Sequence, residues 1–235
     1  MLPAVSAGRL RGSPGKAMSR GVRVWDLSVR SFHWLAVGCF AFSWWSAENG
    51  RMDLHYRSGL CMLAMLAFRL ILGLIGGDTA RFASFVKGPG AVVAQLRGRL
   101  HQPSVGHSPL SALSVVAMLL ALSAQIGTGL FATDVDGLES GPLSFLVSFD
   151  TGRAAAAWHE ASFNALLWLT GLHVAAVLFY LLARRRDYLT PMISGRDRQI
   201  DEAMAEPRPS KMVAATFAAG VAVLLAWSVS NGLWL

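Results

Sequence analysis

The stretch Trp158–Ala183, WHEASFNALLWLTGLHVAAVLFYLLA, decides the fold of this chain. From residue 161 to residue 183 it contains no Asp, Glu, Lys or Arg, and a basic triplet, RRR, follows at 184–186. An α-helix rises about 1.5 Å per residue and the hydrocarbon core of a bilayer is about 30 Å thick, so a span needs about 20 mostly apolar residues. The stretch therefore predicts a transmembrane helix with one His at its mouth and one inside it.

Similar apolar runs occur elsewhere in the 235 residues, of which 54% are hydrophobic and 15% charged. Average soluble domains are roughly 45–50% apolar and 25% charged, so an ordinary soluble enzyme is disfavoured. The first run is rich in Trp and Phe, contains a His and lacks a small-residue cleavage site, which disfavours a signal peptide. The predicted spans lie near residues 31–46, 56–76, 109–132, 160–183 and 212–230.

These runs predict an all-α integral membrane protein. We expect a four-helix transmembrane bundle and a fifth, C-terminal transmembrane helix. The bundle is expected to hold two haems, because of the histidines described below. The predicted divisions are a disordered cytoplasmic segment over 1–22, the membrane domain over 23–186, a solvated cytoplasmic linker over 187–211 and the additional helix over 212–235.

The net charge of +7 would suggest nucleic acid in a soluble protein, but the basic residues are segregated by loop. Six basic residues and one acid precede residue 31, whereas the connection over 133–158 has one base and four acids. The positive-inside rule therefore predicts a multi-pass protein of the bacterial inner membrane with its N-terminus in the cytoplasm and its C-terminus outside. We expect membrane lipid, and no nucleic acid, as a partner.

Four histidines fall inside or at the mouth of a predicted span: His33, His55, His159 and His173. His159 and His173 are 14 positions apart on one span; at 100° per residue this puts them within about 40° on one helix face and about 21 Å apart. The topology gives each depth two histidines from different helices. This predicts two noncovalent haems b with bis-His iron, His55 with His159 outside and His33 with His173 inside. Each histidine taken singly is explained about as well by a structural hydrogen bond between helices as by a role as a ligand.

Arg69 lies 14 residues after His55, at the depth of the inner pair, and a haem propionate is its predicted anion. Snorkelling to the cytoplasmic interface is the alternative. The sequence contains no C-x-x-C-H, which excludes covalent haem, and Cys39 and Cys61 are interpreted as small buried hydrophobes. Arg30, Trp34 and Arg57 fit the membrane interface better than a haem site. His101 and His107 are interpreted as residues of the cytoplasmic loop before the third span.

The ordered motifs of residues 22–198 resemble the bacterial cytochrome b561 and nickel-iron hydrogenase b-type cytochrome family. They include VRVWDLSVRSFHW, HYRSG, FRLILGLIG, RFASFVKGP, GHSPL, TGLFATD, WHE and GLHVAAVLFY. The resemblance implies a four-helix membrane bundle with two b-type haems on the histidines of spans one, two and four, and their counterparts are the four membrane histidines above. Two features depart from the pattern: Tyr56 follows His55 where many relatives have Glu, and the C-terminal run lies outside the usual bundle.

The sequence therefore predicts an electron-transfer protein rather than a stand-alone catalyst. We expect electrons to pass between a quinone pool or membrane dehydrogenase and a periplasmic redox partner such as a cytochrome c. Asp134, Asp136 and Glu139 are expected near the outer haem, where they would steer a basic partner or simply solvate a loop. The competing class is a haem-free membrane anchor or transporter that uses buried histidines for packing or proton relay.

Overall fold

A computed structural model describes residues 21–99, 105–201 and 203–232 of the chain. Residues 1–20 of the predicted disordered segment lie outside the described residues. The described part is mainly helical. Its helices are α1 Leu27–Glu48, α2 Met52–Ile75, α3 Phe82–Phe85, α4 Pro89–Leu96, α5 Pro109–Phe131, α6 Phe149–Leu182, α7 Leu189–Ser194 and α8 Met212–Ser230, with a single 3-10 turn at Ser144–Leu146 and two short strands, β1 Val22–Arg23 and β2 Arg196–Asp197.

Four helices of the described part, α2, α5, α6 and α8, are long and apolar enough to cross a membrane. Their outward side chains remain exposed, as Trp168 at 81% and Leu172 at 68% illustrate, which suits lipid contact and not water. The first predicted span, 31–46, lies in α1, which is not among these four. Arg30, His33 and several serines lower the apolar character of α1.

The long helices pack as antiparallel neighbours, and α1, α5 and α8 each contact α2. The α1–α2 hairpin brings the Cys39 thiol to 3.3 Å from the Ser58 carbonyl oxygen, α5 packs against α6, and α8 runs along α2. Met62 and Leu66 of α2 meet Leu119 and Ile126 of α5 in the core, and side chains of α1 cover them. This arrangement gives the bundle two ends, and each carries one pair of the membrane histidines.

Helix α6 begins at Phe149, earlier than the predicted span at 160–183, so the predicted outer loop over 133–158 is wrong in its second half. The Ser148 hydroxyl accepts a hydrogen bond from the Thr151 backbone N–H at 3.3 Å and caps the helix. Four alanines at 154–157 then continue it, because Ala has the highest helix propensity. The hydropathy of residues 149–157 is low, so hydropathy alone did not predict that they belong to the helix.

The predicted linker over 187–211 contains α7 and β2 and folds back onto the start of α1. We call residues 21–26, 77–80, 189–200 and 204–210 the cap. Strand β1 pairs with β2 through Val22 and Asp197, so residue 22 belongs to the cap and not to a disordered segment. Asp197 is 3% exposed, and Arg186 Nη1 donates to its Oδ1 at 3.0 Å. A buried carboxylate needs such a partner, which orders this part of the chain.

The bundle end beside the cap is called the cap end. The opposite end, with the connections at 49–51 and 132–148, is called the loop end. The cap end holds the start of α1 and α8 and the end of α2 and α6.

Candidate cofactor site

At the loop end, His55 in the first turns of α2 faces His159 of α6. Their ring centroids are 6.0 Å apart and the ring planes stand at 89°. Both imidazoles are half-buried. The long α6 and the short α1–α2 connection thus bring together two histidines that are distant in sequence.

The His55 ring is oriented by helix α1. Its Nδ1 lies 3.0 Å from the Ser43 carbonyl oxygen and 3.2 Å from the Ser43 hydroxyl. A carbonyl oxygen only accepts, so Nδ1 has the proton and donates it. The Nε2 lone pair is then available to a metal, which is the arrangement that metal-binding histidines usually show.

The His159 ring is oriented by helix α5. Its Nδ1 lies 2.8 Å from the backbone carbonyl oxygen of Gln125. Gly129, one turn further along α5, leaves room for the ring, because a Cβ at this position would lie 2.7 Å from His159 Cε1. By contrast, a Cβ at Gly127 of α5 or at Gly171 of α6 would have nothing within 4 Å.

At the cap end, His33 of α1 faces His173 of α6. Their ring centroids are 6.4 Å apart, with the planes at 55°. The Trp34 ring meets His33 edge-on at 4.9 Å. His33 Nδ1 is buried and has no hydrogen-bond partner among the described residues, which leaves a polar atom that only a further group would satisfy.

The spacing of both pairs fits an iron between two imidazoles. For each imidazole, a metal–nitrogen bond of about 2.0 Å plus about 1.1 Å from nitrogen to ring centre puts the two centroids about 6.2 Å apart. The observed values are 6.0 and 6.4 Å. Among the described residues no group of three or more His, Cys, Asp or Glu forms a metal cluster. Two protein ligands suit haem, whose macrocycle supplies the other four.

Arg69 is 3% exposed and has partners within the protein. Its Nη1 donates to the Ala80 carbonyl oxygen at 2.9 Å, and its guanidinium lies 5.2 Å from the centre of the Phe82 ring. Asp26, at the start of α1, interacts with it electrostatically. The sequence predicts a haem propionate as the anion of Arg69, and the structure adds the carboxylate of Asp26, the N-cap residue of α1. The contact with a haem propionate stays a prediction.

Arg30 and Trp34 lie at the cap end and contact α7, and their position at the membrane interface stays a prediction. Arg30 Nη1 donates to the Ile193 carbonyl oxygen, and Trp34 Nε1 donates to the Met192 carbonyl oxygen at 3.2 Å. Both side chains therefore hold α7 of the cap against α1. Arg57, in contrast, is exposed.

His107 is packed against aromatic rings and is not a solvated loop residue. Its ring stacks on Phe85 at 4.1 Å and meets Trp25 edge-on at 4.6 Å. Burial, with a smaller contribution from the positive charge of Arg69, lowers the pKa of His107 to about 3. The ring is therefore neutral at physiological pH. His101, predicted in the same loop, lies outside the described residues.

The fold and the paired histidines define a class: a helical membrane protein with one pair of facing histidines at each end of its bundle. The sequence matches the model of the family described as prokaryotic cytochrome b561 over residues 24–195. The chain therefore belongs to the prokaryotic cytochrome b561 family, which implies b-type haem binding and a role in membrane electron transfer. No curated protein and no solved structure gave a significant match.

Proposed function

We propose that this protein is a dihaem b-type cytochrome of the bacterial inner membrane, in which His55 and His159 hold one iron and His33 and His173 hold the other. The observation behind it is the separation of 6.0 and 6.4 Å within the two pairs. Since His159 and His173 share the uninterrupted helix α6, the two sites are about 21 Å apart along its axis. Haem supplies the one-electron chemistry when bound.

The protein's own part is to hold and orient these ligands in apolar surroundings. Carbonyl oxygens of Ser43 and Gln125 accept the Nδ1 protons of the loop-end pair, which supports Nε2 ligation. Arg69 adds a buried positive charge that would stabilise a propionate at the cap end. The apolar outer faces of α2, α5, α6 and α8 would face lipid.

The proposed topology has five crossings with the cap end in the cytoplasm. Helix α1 has 22 residues, enough for about 33 Å at 1.5 Å per residue. The basic residues before position 31 and at 184–186 favour the cytoplasm for the cap end. Electrons would pass between a quinone pool or membrane dehydrogenase and a periplasmic redox protein at the loop end.

A pyridine haemochrome assay on purified protein tests this function. We expect close to two haems per chain, released into acidified acetone because no covalent bond holds them. Protein purified from haem-replete cells without haem would contradict the proposal and favour the alternative of a haem-free anchor or transporter.

A further inference from the structure

The short helix α4 lies between the apolar helices α2 and α5 in the sequence, and none of its residues is fully buried. Gln95 ties it to the start of α5. The Gln95 Oε1 accepts a hydrogen bond from the Leu110 backbone N–H at 2.9 Å, and its Nε2 donates to the Ser108 hydroxyl at 3.2 Å. Because α5 begins at Pro109, helix α4 lies level with the cap-end mouth of α5, one of the four helices able to cross a membrane.

The outward face of α4 is apolar. Pro89, Val93 and Leu96, called the stripe, follow each other at intervals of four and three residues, which places them on one face of a helix. All three are exposed, Val93 at 44% and Leu96 at 68%. Gln95, which contacts α5, lies on another face. An exposed apolar stripe at the mouth of a span is stable against acyl chains and unfavourable in water.

Basic side chains flank the stripe at both ends of α4. Lys87 lies two residues before the helix, Arg97 directly follows it, and both are exposed. Lys87 Nζ donates to the Ser84 carbonyl oxygen at 3.4 Å, and the ion pairs among the described residues include neither base. The sequence has no Asp or Glu from residue 79 to residue 133. This connection therefore presents uncompensated positive charge beside an apolar face.

We propose that α4 is an interfacial helix that binds anionic phospholipid at the cap end. The stripe lies among the acyl chains just below the headgroups, and Lys87 and Arg97 contact the lipid phosphates. The charge complementarity favours an anionic lipid surface as the occupant, and the hydrogen bonds of Gln95 hold the helix at the depth where a span leaves the bilayer. The proposal depends on the crossing by α5, and neither on haem nor on the side of the membrane that the cap end faces.

The contact of the stripe with lipid is tested by the reaction of cysteine variants with an uncharged, water-soluble maleimide. The full chain is placed in nanodiscs, in which both membrane surfaces are open to the reagent. We expect Val93→Cys and Leu96→Cys to react more slowly than Asp201→Cys, an exposed position near the cap. The expected factor is about tenfold or more, which is what burial of such a side chain in hydrocarbon provides. Wild-type protein gives the background rate of Cys39 and Cys61.

The role of the charges is tested with Val93→Cys in two kinds of nanodisc, one of phosphatidylcholine and one of phosphatidylcholine and phosphatidylglycerol in equal parts. An anionic surface attracts each nearby base strongly enough to change the labelling rate about fivefold. We expect phosphatidylglycerol to slow the labelling, and Lys87→Gln with Arg97→Gln to remove this slowing. Arg51→Gln with Arg57→Gln is the matched control, because it removes two exposed bases from the loop-end half of the bundle, and it should keep the slowing.

The possible results separate lipid from other occupants. Labelling of both stripe positions as fast as Asp201→Cys would overturn the proposal, because the stripe would then lie in water and only a protein partner could cover it. Protection that does not respond to phosphatidylglycerol, or an equal loss of the response in both double variants, would overturn the role of Lys87 and Arg97. Wild-type protein without haem would contradict the proposed function and leave the interpretation of these measurements unchanged.

Discussion

The imidazoles of His55 and His159 face each other at 6.0 Å, and each donates its Nδ1 proton to a carbonyl oxygen of a different neighbouring helix. The acceptor for His55 is Ser43 on α1, and the acceptor for His159 is Gln125 on α5. A helical carbonyl moves only with its helix. The packing of α1, α2, α5 and α6 therefore sets the position of both rings, and substitutions that separate these helices should affect the loop-end site first.

Gly129→Ala should disturb this site, because the added Cβ would lie 2.7 Å from His159 Cε1. The ring must shift, and overpacking of this kind costs about 1–3 kcal/mol. We expect haem content to fall from two toward one per chain in the pyridine haemochrome assay. Gly127→Ala is the matched control, since nothing lies within 4 Å of its Cβ. Equal haem content in both variants would show that Gly129 is not needed to seat His159.

Arg69→Met should destabilise the cap end. The substitution removes the charged hydrogen bond to the Ala80 carbonyl oxygen, and such bonds contribute about 1.5–3 kcal/mol. We expect a lower midpoint of thermal unfolding in detergent. Arg57→Met, at an exposed position of the same helix, should leave the midpoint unchanged. An unchanged midpoint in Arg69→Met together with loss of one haem would favour a propionate contact over the structural role.

Acid should weaken the cap end through His107. The pKa of His107 is about 3 in the folded protein against about 6.5 in an unfolded chain. Between these values the unfolded chain binds more protons, so this part of the stability is present above about pH 6.5 and declines as the pH falls toward 3. The slope is at most about 1.4 kcal/mol per pH unit.

Thermal unfolding at pH 7.5 and at pH 5 tests the role of His107. We expect the wild type to lose stability at pH 5 and His107→Phe to lose less, because Phe does not titrate and can stack on Phe85. The same loss in both proteins would show that other groups cause the acid sensitivity.

Residues 133–140 at the loop end form an acidic hairpin, closed by a bridge between Thr133 and Ser140, and it should speed the arrival of a basic redox partner. The Asp134 N–H donates to the Glu139 carbonyl oxygen at 3.0 Å, and Asp136 and Glu139 are exposed. Rapid mixing with a basic cytochrome c should give an oxidation rate that falls as ionic strength rises from about 0.01 to 0.15 M, where the screening length shrinks from about 30 to 8 Å.

Neutralising Asp134, Asp136 and Glu139 to amides should flatten this salt dependence and leave the haem spectra unchanged. Asp201→Asn, an exposed acid near the cap, is the control and should keep the dependence. A salt-independent rate in the wild type would contradict steering by the hairpin.

Helix periodicity made the histidine pairs accessible to sequence reasoning. His159 and His173 share one uninterrupted helix, so their face and spacing follow from regular geometry. The lengths of the apolar runs placed α2, α5 and α8 within a few residues of their observed bounds. The apolar run at 31–46 lies within helix α1, which is not among the four helices of the described residues that are long and apolar enough to cross a membrane, so its crossing stays a prediction.

The cap and the surroundings of Arg69 could not be predicted in this way. Their structure depends on contacts between distant segments, such as the pairing of Val22 with Asp197 and the Asp26 carboxylate that accepts from the Ser210 N–H at 2.8 Å. Local hydropathy of residues 187–211 indicates only a polar segment.

The most direct test of the paired-histidine account is low-spin EPR on four single variants, each with one membrane histidine replaced by alanine. We predict that His55→Ala and His159→Ala lose the same signal, and that His33→Ala and His173→Ala lose the other. Loss of one shared signal in His33→Ala and His159→Ala would contradict the account.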